Sequence, residues 1–137
     1  MTLGPFVVGD AMPERTVLLT RADLDRYAVA SGDDNPIHRD DAAARAVGLP
    51  SVVAHGMLTL GVAMAAVVEW IGPGAVPTEF GGRFVKPVPV PVEGPAELTV
   101  GATVAERHDD GTLRLDLAVS CGGVKVLGMA RAEVRPL

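Results

Sequence analysis

The sequence predicts an α+β fold in which a curved antiparallel sheet wraps around one central helix. Three observations carry this. The largely apolar stretch from Met57 to Val68 is apolar on all sides of a helix and needs cover from other structure. The chain after it is rich in Val, Leu and Thr, alternates in part, and is broken by turn signals. Aromatic residues make up only 4% of a chain that is 48% hydrophobic, so the core is built from Val, Leu and Ala with Met as filler.

The elements follow in order. Arg15 to Leu19 reads as a short opening strand. Thr20 is a helix N-cap, with Asp23 three residues on as a capping-box partner. The helix carries "RADLDRYAVAS", with Leu24, Tyr27 and Ala28 on one face, and ends before Pro36. A second short helix starts at Asp40 or Asp41, runs through "AAARAV" and stops at Gly48. The long helix follows in "HGMLTLGVAMAAVVEWIG" and is ended by "GPGAVP". Four antiparallel strands are expected at 78–88, 96–107, 112–121 and 124–134, as a meander separated by "PVPVPVEGP", "HDDG" and "CGG". A sheet curling around one helix in this order is the hot-dog fold. Residues 1–137 are expected to form one such domain, with no internal repeat or linker. A lone unit leaves part of its sheet and helix bare, so dimerisation is expected.

Composition excludes several classes of function. The net charge is -5 and no Lys/Arg run offsets it, which disfavours broad nucleic-acid binding. The longest apolar run is too short to span a bilayer. The opening "MTLGPFVVGD" lacks a basic start and a sustained apolar stretch, so no signal peptide is read there. The lone Cys121 precludes an intrachain disulfide and suits a reducing compartment. A soluble, cytoplasmic protein is expected.

The most polar cluster, "SGDDNPIHRDD", stands just ahead of the apolar helix. Asp33 and His38 are five residues apart, a spacing that a regular helix would splay. Pro36 and Asn35 favour a turn instead, and a turn can aim both side chains into one pocket. Such a pair can hold a water and exchange protons with a substrate; the same spacing also suits a solvated surface loop. Gly56 lies at the start of the long helix, where free N–H groups and the positive dipole end could stabilise a carbonyl oxygen gaining charge. Close packing or a turn would equally account for a glycine there.

With those residues in view, "GDDNPIH" (32–38) resembles the G-D-x-N-P-[LIV]-H signature of the MaoC-like, R-specific enoyl-thioester hydratases and dehydratases. "AHGMLTLG" is similar to the start of their central helix, and "GRFVKPVPV" (82–90) to the strand that follows. The chain resembles in particular the single-hot-dog, catalytic beta subunit of the (3R)-hydroxyacyl-ACP dehydratases. Ala30 departs from the larger aliphatic that relatives often carry. The resemblance implies that Asp33 and His38 are the catalytic pair, that Asn35 shapes the turn and helps bind the catalytic water, and that the Gly56 amide contacts the thioester oxygen. It implies water addition to 2-enoyl thioesters, or loss of water from (3R)-3-hydroxyacyl thioesters, with no metal and no redox cofactor. The acyl group would arrive on coenzyme A or on the phosphopantetheine of an acyl carrier protein, and the partner would be a second copy or a related hot-dog subunit.

Other residues are candidates for substrate contact. His55 could donate a proton, orient the pocket or cap the helix. Met57, Met64 and Val67 lie at spacings that can share a side of the helix, and some of them could line an acyl channel or pack as plain core. Arg83 and Lys86 could meet a carrier phosphate or stand as ordinary strand charges. Asp34, Arg39, Asp40 and Asp41 read as solvated residues or caps, His108 as a surface turn residue, and Cys121 as a packed strand residue. No metal set is expected from the three histidines. A hot-dog thioesterase is the competing enzyme, but 56–68 carries no acid to activate water and Glu69 lies at the far end. A non-catalytic acyl-binding subunit would be expected to lack the Asp or the His, and both are present.

Overall fold

The computed structural model describes residues 6–137. The first five residues of the opening stretch, read above for a leader, lie outside them. β1 (Arg15–Leu19) leads into α1 (Arg21–Ser31). A 3-10 turn (Pro36–His38) and α2 (Asp41–Ala46) precede the long α3 (Gly56–Ile71). The strands β2 (Ala75–Phe84), β3 (Ala96–Arg107), β4 (Leu113–Cys121), β5 (Val124–Lys125) and β6 (Leu127–Pro136) complete the chain. Among the described residues no helix is long and apolar enough to cross a membrane.

Local chemistry explains the helix ends. The Thr20 hydroxyl accepts the Asp23 amide at 3.2 Å, and the Asp23 carboxylate accepts the Thr20 amide at 2.8 Å, a reciprocal capping box. α1 stops at Gly32, which takes φ +79°, a conformation that glycine adopts without a Cβ penalty. Asp40 caps α2 through its side chain. No side chain caps α3, where His55 holds the N-cap position.

All the strands pair antiparallel, in the order β1-β3-β4-β6-β2, with β5 added to β4. The expected four-strand meander is therefore corrected. β2 does not pair with β3; it crosses to the far edge and pairs with β6, while β1 takes the opposite edge. The strand expected at 78–88 ends at Phe84, because Pro87, Pro89 and Pro91 have no N–H to offer a ladder. The strand expected at 124–134 is split at Val126, whose amide still bonds to Val119 while its carbonyl accepts the Val85 amide. Three residues on, Met129 takes φ +50° where the β2–β6 register shifts.

Alternation places Ala96, Leu98, Val100, Ala102 and Val104 of β3 inward, with Leu113, Leu115, Leu117 and Val119 of β4. Thr59, Leu60, Ala63, Met64, Ala66 and Val67 of α3 are also buried, and the apolar residues of all three elements form one cluster. The sheet does not wrap the helix completely: Met57, Gly61, Ala65 and Val68 form an exposed stripe along α3. β2 buries no residue and leaves Phe80 and Phe84 exposed at the sheet edge.

The polar loop is fastened from two sides. Asp41, expected as a solvated residue or cap, receives both terminal nitrogens of Arg21 at 2.9 and 3.0 Å and also accepts the Val52 amide at 2.9 Å. Arg21 Nε reaches the Val90 carbonyl at 3.0 Å. The segment 52–54 in turn bonds to the proline-rich segment, Ala54 N–H to Val88 and Val90 N–H to Val52. Hydrogen bonds from Arg21, first, and from the Val52 amide lower the Asp41 pKa to about 2. A depressed carboxyl stabilises the fold above its unfolded value of about 4, and that contribution is lost as pH falls through about 2. Asp41→Asn is expected to lower the thermal midpoint at pH 7 and to flatten its fall between pH 4 and 2, read by calorimetry across pH; an unchanged acid profile would contradict this.

Candidate active site

The turn after α1 is built by side chains that bond their own backbone. The Asp33 amide donates to Ser31 Oγ at 3.1 Å, and Asp33 Oδ1 accepts the Asn35 amide at 3.2 Å. Asn35 Oδ1 then caps the 3-10 turn by accepting the Ile37 amide at 3.2 Å. Asn35 is exposed and shapes the turn. Its end result is His38, 8% exposed in a loop whose neighbours are open to solvent.

His38 is oriented by backbone. Its Nδ1 lies 2.7 Å from the Val53 carbonyl, which can only accept, so Nδ1 carries the hydrogen. In neutral His38 the lone pair is therefore on Nε2. The same lock returns from the other chain segment, where the Val53 amide donates to the Ile37 carbonyl at 3.2 Å. A carboxylate oxygen of exposed Asp33 and ring nitrogens of His38 and His55 all lie within 4.8 Å of one another. Asp33 and His38 share no direct hydrogen bond; the span suits one bridging water.

His55 is 2% exposed and stacks on His38, ring centres 3.8 Å apart at 24°. Its Nε2 donates to the Asp33 carbonyl at 3.1 Å, and Nδ1 is buried with no partner. Burial chiefly, and His38 to a smaller degree, lower its pKa below the ordinary histidine value. Tyr27 packs against it in a T-shaped contact. This trio does not suit a metal. Lone pairs lie in their ring planes, and two planes stacked 3.8 Å apart at 24° do not converge within a metal–nitrogen bond of about 2.1 Å.

A pocket of about 290 Å³ opens beside His38. Gly56 and Thr59 of α3 line it, as do Ile37, Leu49, Val53, Val85, Val88 and Leu127. Gly56 is also a place of close approach: a Cβ there would lie 3.0 Å from three ring atoms of Phe84, which lines the same pocket. Lys86 lines it as well, whereas Arg83 stands exposed on β2 outside it. Met64 and Val67, expected on an acyl channel, do not line this pocket. They lie two turns or more along α3 on its inward side, against Ile71, Ala75 and Val134. Met57 is 56% exposed and points into neither cavity.

Val53, Thr59 and Phe84 also belong to the site, although no sequence motif marks them. Each acts through a carbonyl, a buried hydroxyl or a ring brought in from a distant strand, and none carries a local signal. His108 is exposed near Glu133, and Cys121 is partly buried on β4, neither of them near the pocket. Glu69 is ion-paired with Arg15 at 2.6 Å, about 20 Å along α3 from Gly56.

Residues 8–118 match the MaoC-like domain family. Over 94 residues the chain is 42% identical to 3-hydroxyacyl-thioester dehydratase X of Mycobacterium tuberculosis, covering 69% of this chain and 30% of that protein. It therefore spans about a third of the length of this curated relative. A solved MaoC-like dehydratase has a TM-score of 0.91 and 31% identity, over 99% of this chain and 42% of that one. The unliganded R-hydratase PhaJ1 from Pseudomonas aeruginosa has a TM-score of 0.86 and 29% identity, over 98% of this chain and 84% of that one. These are hot-dog proteins, and the chain belongs to the MaoC-like domain family.

Proposed function

We propose that this MaoC-like chain is a hydro-lyase that interconverts 2-enoyl and (3R)-3-hydroxyacyl thioesters by adding or removing water. One observation carries the reading: His38 lines an apolar pocket that also holds the N-terminus of α3, and the carboxylate of exposed Asp33, itself outside the lining, lies within 4.8 Å of a His38 ring nitrogen. The names of the dehydratase and R-hydratase relatives support it.

The chemistry follows from what each group offers. In dehydration a proton leaves C2 while negative charge gathers on the thioester oxygen. The Gly56 amide, at a helix start with no side-chain cap, is the donor for that oxygen. The Nε2 lone pair of neutral His38 takes the C2 proton. The bond from C3 to oxygen then breaks, and the proton that His38 took is passed by way of Asp33 and the water between them to the departing hydroxyl, which leaves as water. Hydration runs the same path backwards. No metal or redox cofactor is needed for these steps.

The lining residues Ile37, Leu49, Val85 and Val88 suit an acyl chain, and 290 Å³ lies at the small end of ligand pockets. Lys86, with Arg83 outside, suits the phosphates of coenzyme A or of an acyl carrier protein's phosphopantetheine. The lone Cys121 suits a reducing cytoplasm. Hydrolysis of the thioester is disfavoured because Glu69 is both distant and paired.

The unit works as a dimer of hot-dogs, with a second copy or a related subunit. Two features support this. Among the described residues β2 is a ten-residue sheet edge with no further strand beside it, and it carries two exposed Phe rings. The stripe of Met57, Gly61, Ala65 and Val68 runs along the helix that packs on β2, and its small residues allow close approach.

Two experiments test the reading. Purified protein is expected to hydrate crotonyl-CoA to the 3R product without releasing free coenzyme A. Asp33→Asn and His38→Gln are each expected to lower kcat at least about a hundredfold with folding retained, and the double variant to be little worse. Near-normal turnover in either single variant would overturn the dyad, and release of free thiol would indicate a hydrolase. In sedimentation at micromolar concentration a dimeric mass is expected, alone or with the related subunit, and Ala65→Glu is expected to dissociate it. A monomer in both settings would contradict the interface.

A further inference from the structure

We propose that His55 is a positioning residue for the Asp33–His38 pair and does not itself reach the substrate. The inference rests on the hydro-lyase reading for its kinetic consequence, but its geometry stands apart from it. His55 touches both members of the pair in different ways. Its Nε2–H holds the backbone carbonyl of Asp33 at 3.1 Å, and its ring covers a face of His38 at 3.8 Å. It is the N-cap residue of α3, so the tether joins the Asp33 turn to the helix whose first residue, Gly56, lines the pocket.

Its own chemistry is otherwise spent. The Asp33 carbonyl can only accept, so Nε2 carries the hydrogen and Nδ1 keeps a lone pair. That Nδ1 is buried and has no partner, and the ring is 2% exposed and absent from the pocket lining. An apolar ring would fill the same space without stranding a nitrogen. What the imidazole adds is the hydrogen bond to Asp33. The titratable groups that face it are His38 on the 3-10 turn, Asp33 before that turn and Tyr27 on α1. Burial and His38 oppose a charge on it, and Asp33 favours one. With burial dominant, His55 is neutral at pH 7 and places no second positive charge against His38 as His38 gains its proton.

Two substitutions separate the parts of this role. His55→Phe keeps a ring against His38 and removes the tether to Asp33. His55→Gln keeps an N–H donor for the Asp33 carbonyl and removes the ring. Both would be compared with wild type by kcat and KM on crotonyl-CoA. Without substrate, they would be compared by NMR titration of the His38 ring and by the backbone amide signals of Asp33 to Asn35. His55→Phe is expected to lower kcat about ten- to a hundredfold, as small misplacements do, with KM little changed. It is also expected to broaden or shift the 33–35 amides. His55→Gln is expected to restore those amides and part of kcat, while moving the His38 titration. A folded His55→Phe with wild-type kcat and unmoved 33–35 amides overturns the proposal, as does a His55→Gln in which the His38 titration is unchanged. Should His55→Phe fail to fold, the His38 titration in His55→Gln decides alone. If wild-type protein hydrates no thioester, the hydro-lyase reading falls, while the NMR measurements still decide whether His55 positions the pair.

Discussion

One hydrogen bond sets the site: His38 Nδ1 to the Val53 carbonyl, 2.7 Å. It fixes the tautomer, because a carbonyl oxygen cannot donate, and it fixes the ring's orientation. The other nitrogen is thereby left free beside the pocket. Without this bond a histidine on a short polar turn would be one more solvated side chain. With it, the turn holds a base whose lone pair has a defined direction, which general acid–base chemistry requires.

The bond is only as good as the placing of Val53, and that depends on the rest of the chain. Segment 52–54 has no regular structure of its own. It is held to Val88 and Val90 by backbone bonds and to Asp41 by the Val52 amide. The prolines at 87, 89 and 91 keep the neighbouring segment out of the sheet ladder while leaving Val88 and Val90 able to bond and to bury their side chains. Asp41 and Arg21 tie α2 and α1 to the same place. Beneath this the sheet and α3 supply a rigid bed, packed from Leu, Val and Ala on alternating strand positions.

Local signals were legible and non-local ones were not. The capping box of Thr20 and Asp23, the end of α1 before Pro36 and the extent of α3 are written within a few residues, and the structure follows them. The turn around Asn35 and Pro36 is of this kind, and it brings the Asp33 carboxylate within 4.8 Å of a His38 ring nitrogen. Strand order is different. Nothing in the residues of β2 says that it pairs with β6 instead of β3; that follows from how the sheet closes over α3. Met64 and Val67 illustrate a second limit. Helical spacing puts them on one side of α3 but does not say whether that side meets the pocket or the core. Asp41 and His55 show a third: a charged or polar side chain bound to distant backbone looks, in sequence, like a solvated or capping residue.

Catalysis by this pair depends on which nitrogen of each stacked ring carries the hydrogen. Nitrogen-15 NMR of selectively labelled protein, at a pH where the rings are neutral, reads this directly. The geometry predicts the Nδ1–H form for His38 and the Nε2–H form for His55. An Nε2–H form of His38 would mean that its lone pair faces the Val53 carbonyl and not the pocket, and the assignment of His38 as the base would fail.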